Sequence, residues 1–170
     1  RVDVKEIEPL KRGGTGSRSE DEEQPEFLPD AFESGPPNAV GLAGLAAGVR
    51  WVLDRAVAAI HVHEVTLAQC LLTGLSDLPG VTVYGPRDAE LQTATVSFVI
   101  AGLRPDEVGQ RLDEGAGLMC RVGLHCAPAA HKTMGTFPIG TVRFGLGALN
   151  TVAEVEESLS AVRALAQEGR

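Results

Sequence analysis

The sequence predicts an α/β chain whose second half is a small α+β domain, a two-layer sandwich with helices on one face of a mostly antiparallel sheet. Two observations predict it. Short apolar runs with strand character recur at 81–84, 95–100, 118–122 and 140–144. Helix signals fall between and after them: a proline-led start at Pro105, and the capping box Thr151-Val152-Ala153-Glu154. From residue 81 onward the order is therefore β-β-α-β-β-α.

Residues 1–12 read as a short strand leading to Pro9. Gly13-Gly14-Thr15-Gly16-Ser17 follows, either a loop whose backbone N–H groups can face an anion or a plain flexible turn. It is not a P-loop, because no Gly-Lys-Ser/Thr follows. The acidic stretch 20–26 reads as a solvated face, and four prolines between 25 and 37 predict an extended connection. Asn38 is a good N-cap. Behind it Val40, Leu42, Leu45, Val49, Val52, Leu53 and Ala56 recur at helical spacing, while Gly41, Gly44 and Gly48 thin the helix so that a neighbour can come close. A second helix is expected over 61–75, with Val65, Leu71, Leu72 and Leu75 inward. In it Cys70 reads as a small buried hydrophobe, and His61 and His63 as surface or packing residues. Pro79-Gly80 turns the chain into the first strand. Asp106 and Glu107 favour the positive end of the helix opened by Pro105, which runs to about Leu112. The last helix ends near Gln167.

With 170 residues, 44% of them hydrophobic and 22% charged, the chain can bury a real core and is not a disordered segment. A net charge of -8 argues against nucleic acid as a partner. No apolar run approaches the ~18 residues that would span a bilayer. Neither secretory signal nor initiator Met is present, and the opening Arg1-Val2-Asp3-Val4 reads as a fragment. Three cysteines without framework spacing point to reduced thiols and a cytoplasmic setting.

The chemistry concentrates in Arg121-Val122-Gly123-Leu124-His125-Cys126-Ala127-Pro128-Ala129-Ala130-His131. Cys126 sits among turn-formers, carried by a strand on one side and a mobile run of small residues, 127–135, on the other. A thiol needs a neighbouring imidazole or cation to become a nucleophile at neutral pH, and His125 or Arg121 could serve. A structural cysteine is the alternative. A metal site from Cys120, His125, Cys126 and His131 competes, but C-x5-C-x4-H matches no common zinc spacing, and no metal is expected. Arg143 lies inside a strand, where a guanidinium must find a carboxylate, either from a ligand or from a structural ion pair.

Five separated motifs resemble one family in order and spacing: Pro9 to Ser17, the Glu33 to Asn38 segment, Arg121 to Pro128, Gly140 to Phe144, and Asn150-Thr151. They are similar to the cysteine desulfurases, pyridoxal-phosphate (PLP) enzymes of the class V aminotransferase group, and most to the SufS-like branch. The resemblance implies the C-terminal portion of the PLP-dependent transferase type I fold. Residues 1–50 would end the large cofactor domain, 51–80 would be connecting helices, and 81–170 the small domain with the thiol loop. It also implies a homodimer that takes L-cysteine and hands sulfur to an acceptor protein. In that frame Cys126 matches the thiol that becomes a persulfide and Arg143 the arginine that holds the substrate carboxylate. His125 and Arg121 match neighbours that tune the thiol, and Gly14, Thr15 and Gly16 a segment near the cofactor.

The chain departs from the family at two positions. Pro36 stands where a threonine reaches the cofactor phosphate of the partner subunit, and Gly145 where a serine follows the arginine. Lys5, Lys11 and Lys132 do not fit the Schiff-base lysine motif, so the chain alone is expected to be inactive. Two other functions remain open: a class V aminotransferase or lyase without a catalytic thiol, and a non-catalytic dimerisation remnant.

Overall fold

The structure is a computed structural model that describes residues 3–14, 16–18 and 20–168. It divides into two units, Arg1–Asp54 and Arg55–Arg170.

In the first unit the expected strand near the N-terminus is absent from the described residues. A single 3₁₀ turn, Val4–Glu6, stands there instead. A lone strand has no stability without a partner, and the described residues of this unit contain no other strand. The proline-rich segment is folded back into turns rather than extended. Ala31 N–H donates to Phe27 O and Phe32 N–H to Pro29 O, while Asp30 accepts the Ser17 hydroxyl at 2.6 Å. Helix α1 spans Ala39–Arg55. Asn38 caps it as expected, its Oδ1 accepting from Gly41 N–H at 2.9 Å. The apolar positions Val40, Leu42, Leu45, Val49 and Leu53 are exposed, and α1 buries no residue.

The second unit begins with α2, Val57–Ser76, earlier than its periodicity predicts. Ala56, at φ 64°, lies in the left-handed region just before it. Leu67, Leu71, Leu72 and Leu75 are buried, whereas Cys70 is half-buried at the core margin. His63 donates through Nε2 to Asn150 O at 2.9 Å, a packing role, and His61 is exposed.

Strands β1 (Val81–Tyr84), β2 (Thr95–Ile100), β3 (Arg121–Gly123) and β4 (Thr141–Gly145) form one sheet in the order β1-β2-β4-β3, antiparallel throughout. Helices α3 (Pro105–Ala116) and α5 (Val152–Glu168) join α2 over one of its faces. Alternation puts Val83, Val96, Phe98, Ile100, Val142 and Phe144 on that face. Phe98 is fully buried, its ring 5.4 Å from that of Phe144. The Thr151 box closes as written: Thr151 N–H donates to Glu154 Oε2 at 2.7 Å and Glu154 N–H to Thr151 Oγ1 at 3.3 Å. The layered α+β architecture is thus the predicted one, and no single helix among the described residues is long and apolar enough to cross a membrane.

The third strand is shorter than its sequence run. Helix α3 continues past Leu112 to Ala116, and Gly117, at φ 64°, ends it. Gly117 and Leu118 then donate their N–H groups to Asp113 O and Leu112 O. The Leu118 N–H is therefore spent on the helix cap and cannot pair with β4. Cys120 follows, half-buried against the core, where burial first and the Asp113 charge second push its thiol pKa up.

Candidate functional site

The site lies on the sheet face away from the helices. Because Val142 and Phe144 point into the core, Arg143 between them points the other way. Its register partners are Ser97 on β2 and Arg121 on β3, so both guanidinium groups stand on that open face. Like charges directly opposite each other repel. Among the described residues neither arginine has a carboxylate within ion-pair distance. Of the two sequence readings of Arg143, the structural salt bridge is therefore not formed among the described residues.

A tight turn leads from the end of β3, and Ala127 N–H closes it onto Leu124 O at 2.8 Å. Its two central residues, His125 (φ 49°) and Cys126 (φ 59°), both lie in the left-handed region. Two consecutive non-glycine residues there are strained, and such strain concentrates at functional sites. The turn leaves Cys126 exposed while His125 folds back over the sheet. His125 Nε2 is 3.2 Å from Thr141 Oγ1, and Thr141 is fully buried. Burial first, then the Arg143 charge and those of His131 and Arg121, hold the imidazole pKa below its ordinary value. His125 thus favours its neutral form.

Small residues after Cys126 do not form a loose run. They fold into a short helix, α4 (Pro128–Thr133), with Pro128 at its first turn and Ala127 capping it. Its one buried side chain is His131, whose Nδ1 is 2.7 Å from Thr136 Oγ1. The rings of His125 and His131 are tilted, 5.7 Å apart. Nothing in the sequence singles out Thr136 or Thr141; the chain just after α4 brings the Thr136 hydroxyl to His131, and β4 returning beside the turn brings that of Thr141 to His125. Among the described residues no group of three or more His, Cys, Asp or Glu is gathered for a metal ion.

The strain gives a measurable expectation. Cys126 is exposed, so its side chain contributes little packing. Cys126→Gly relieves the positive φ and is expected to be more stable than Cys126→Ala by about 1 kcal/mol, read from urea midpoints. Equal midpoints would mean that the turn relaxes without cost.

The Gly13–Gly16 loop keeps positive φ at Gly13, Gly14 and Gly16. However, Gly13 N–H is donated to Gln24 Oε1 at 2.7 Å, and Gly14 O accepts from Gly35 N–H at 3.0 Å. Thr15 lies outside the described residues. Lys132 lies over the Phe137 ring, 5.1 Å from its centre, and Lys11 is exposed. With the Gly13 N–H already engaged, this set does not fit PLP by itself.

The chain is 36% identical over 143 residues to a protein named probable cysteine desulfurase 2 from Mycobacterium leprae, covering 84% of this chain and 34% of that one. It is 35% identical to a probable cysteine desulfurase from Pyrococcus abyssi, covering 81% of this chain and 33% of that one. The apo structure of a cysteine desulfurase from Thermococcus onnurineus matches 82% of this chain and 34% of its own, at 36% identity and TM-score 0.76. The S-sulfonic acid form of the Escherichia coli cysteine desulfurase CsdA matches 82% of this chain and 33% of its own, at 26% identity and TM-score 0.70. The chain therefore spans about a third of the length of the relatives it matches, and its sandwich is the one these desulfurases share. The aminotransferase class-V model matches residues 3–157, and with the fold and the thiol-bearing turn already described, the chain belongs to the aminotransferase class-V family.

Proposed function

We propose that this chain is the thiol-bearing part of a cysteine desulfurase, which removes sulfur from L-cysteine, leaves L-alanine and keeps the sulfur as an enzyme persulfide. One observation carries the proposal: an exposed thiol, Cys126, on a strained turn at the end of the sheet face that presents Arg143, which has no ion-pair partner among the described residues. A structural cysteine has no need of such a turn. An unpaired guanidinium beside a second one calls for an anion, and its planar fork matches a carboxylate.

In this reading Arg143 holds the carboxylate of the substrate, and Arg121 adds positive potential beside it. The Cys126 sulfur attacks the substrate sulfur. An S–S bond forms as the Cβ–S bond breaks, and the electron pair stays with the three-carbon fragment, which takes up a proton and leaves as alanine. His125, the residue before Cys126, is assigned a tuning role only, and the thiol proton leaves to solvent. Family members use PLP as the electron sink; the described residues do not hold it alone, and Gly14, Thr15 and Gly16 are assigned only as contributors to its surroundings. Residues 1–50 are assigned to the end of a cofactor domain and 81–170 to the small domain. We infer a homodimer that passes sulfur to an acceptor protein, in the cytoplasm, where its three free cysteines stay reduced.

The test uses the longer, PLP-loaded protein of which this chain is proposed to be part. Alanine and sulfide release from L-cysteine is compared between wild type and Cys126→Ser, which keeps size and backbone. Release is expected to fall at least about a hundredfold, while the absorbance of bound PLP is retained. Unchanged release would assign Cys126 a structural role and leave a thiol-free class V reaction.

A further inference from the structure

The thiol turn is strained, so something must hold it. A strained backbone persists only where its surroundings over-determine it. Helix α4, which follows the turn, cannot do so alone, since six residues form no stable helix in isolation. Its anchor is its single buried side chain. An apolar residue would serve mere packing, yet the sequence places an imidazole there, His131, only 5% exposed.

His131 is bonded at every polar group but Nε2. Its N–H donates to Ala127 O, the residue that closes the thiol turn. Its carbonyl accepts from Thr136 N–H at 2.9 Å and Phe137 N–H at 3.1 Å. Nδ1 meets the Thr136 hydroxyl at 2.7 Å, and Thr136 O accepts from Gly140 N–H at 2.7 Å, at the threshold of β4. His125 packs between this assembly and the sheet, its ring 5.7 Å from the His131 ring on one side and its Nε2 3.2 Å from Thr141 Oγ1 on the other. His125 Nδ1 is buried without a partner, so the ring stays in place by confinement rather than by its own full set of hydrogen bonds.

We propose that His131 is the positioning residue of the thiol turn: bonded to Thr136 and packed on His125, it holds the left-handed His125–Cys126 backbone that presents the thiol. It acts through His125 and Ala127. The proposal rests on the desulfurase reading for the value of a fixed thiol, but its geometry does not.

The charged groups around His125 decide how it is read out. Arg121 approaches from β3, Arg143 from β4 and His131 from α4, and all three disfavour the imidazolium. Confinement adds the largest effect, burial. If the His131–Thr136 bond is what confines His125, loosening it lets the ring reach water and its titration moves up.

The test uses the 170-residue chain and NMR. Thr136→Val keeps the shape of the side chain and removes the hydroxyl. The His125 midpoint is expected to rise toward the ordinary value of 6.5. The Ala127 N–H should exchange about tenfold faster, the size expected for losing one buried hydrogen bond. His131→Asn places an amide where Nδ1 stood and should keep Ala127 exchange near wild type, whereas His131→Leu, of similar bulk, should not. Methyl signals of Val142 and Val108 report that the core is intact. A folded Thr136→Val chain with unchanged His125 titration and unchanged Ala127 exchange would overturn the proposal and leave His131 as a core residue. Loss of the desulfurase reading would appear separately, as Cys126→Ser turnover equal to wild type.

Discussion

Gly140→Ala is expected to cost about 3 kcal/mol or more and to release β3 from β4. Gly140 sits at φ 89°, where an L side chain is strained whatever the space. There is also no space: a Cβ would collide with the carbonyl group of Gly123, a backbone atom that no rotamer change can move aside. Gly123 pairs with Thr141 in the register and has a positive φ of 100° itself. The two strands approach here without side chains between them, and this approach sets the thiol turn beside β4. A urea titration of the variant should show an earlier midpoint, and the Arg121–Gly123 amides should lose protection before those of β1 and β2. Gly145→Ala, at the far end of β4, is the control. It has an ordinary φ and nothing within 4 Å of its added Cβ, so it should change stability little. Equal losses in the two would show that the approach at Gly140 relaxes.

Arg143→Ala is expected to separate stability from function. The residue has no ion-pair partner among the described residues, so its removal leaves no carboxylate stranded and relieves the repulsion with Arg121. Stability should change by no more than about 0.5 kcal/mol. Under the proposed desulfurase reading, loss of a bidentate carboxylate contact should lower kcat/KM for L-cysteine in the longer protein about a hundredfold or more. Arg143→Lys should recover part of that, because charge returns without the fork. The variant should also raise the His125 titration midpoint, since the Arg143 charge is the second-largest influence lowering it. A large fall in stability with kcat/KM intact would make Arg143 a structural residue instead.

The four sheet strands, in their order, and the helices α1, α2, α3 and α5 were legible because each rests on local rules, whereas the expected β-β-α-β-β-α order lacks α4 between β3 and β4. Period-two alternation needs only a two-sided sheet, and the Asn38 cap, the Thr151 box and Pro105 act within one turn of backbone. Element ends were less so. Leu118 has strand composition, but its N–H serves the cap of α3, a choice made by Gly117 at the preceding position. Residues 127–135 look like a mobile run of small residues, yet α4 forms because one buried imidazole finds a hydroxyl five residues on.

The same division runs through the site. Cys126 and Arg143 could be picked out by themselves, a thiol among turn-formers and a cation in a strand, because their chemistry is carried by single residues. Their relation could not. That Arg143 faces Arg121, that no acid among the described residues answers them, and that His125 turns inward while Cys126 turns out all depend on the pairing of β3 with β4. By itself the sequence determined which groups are reactive and which backbone states each stretch prefers. Tertiary structure alone decided which of those groups share a face, because the contact of residue 125 with residue 141 and the facing of residues 121 and 143 are set by the register of β3 on β4, to which local propensity is blind.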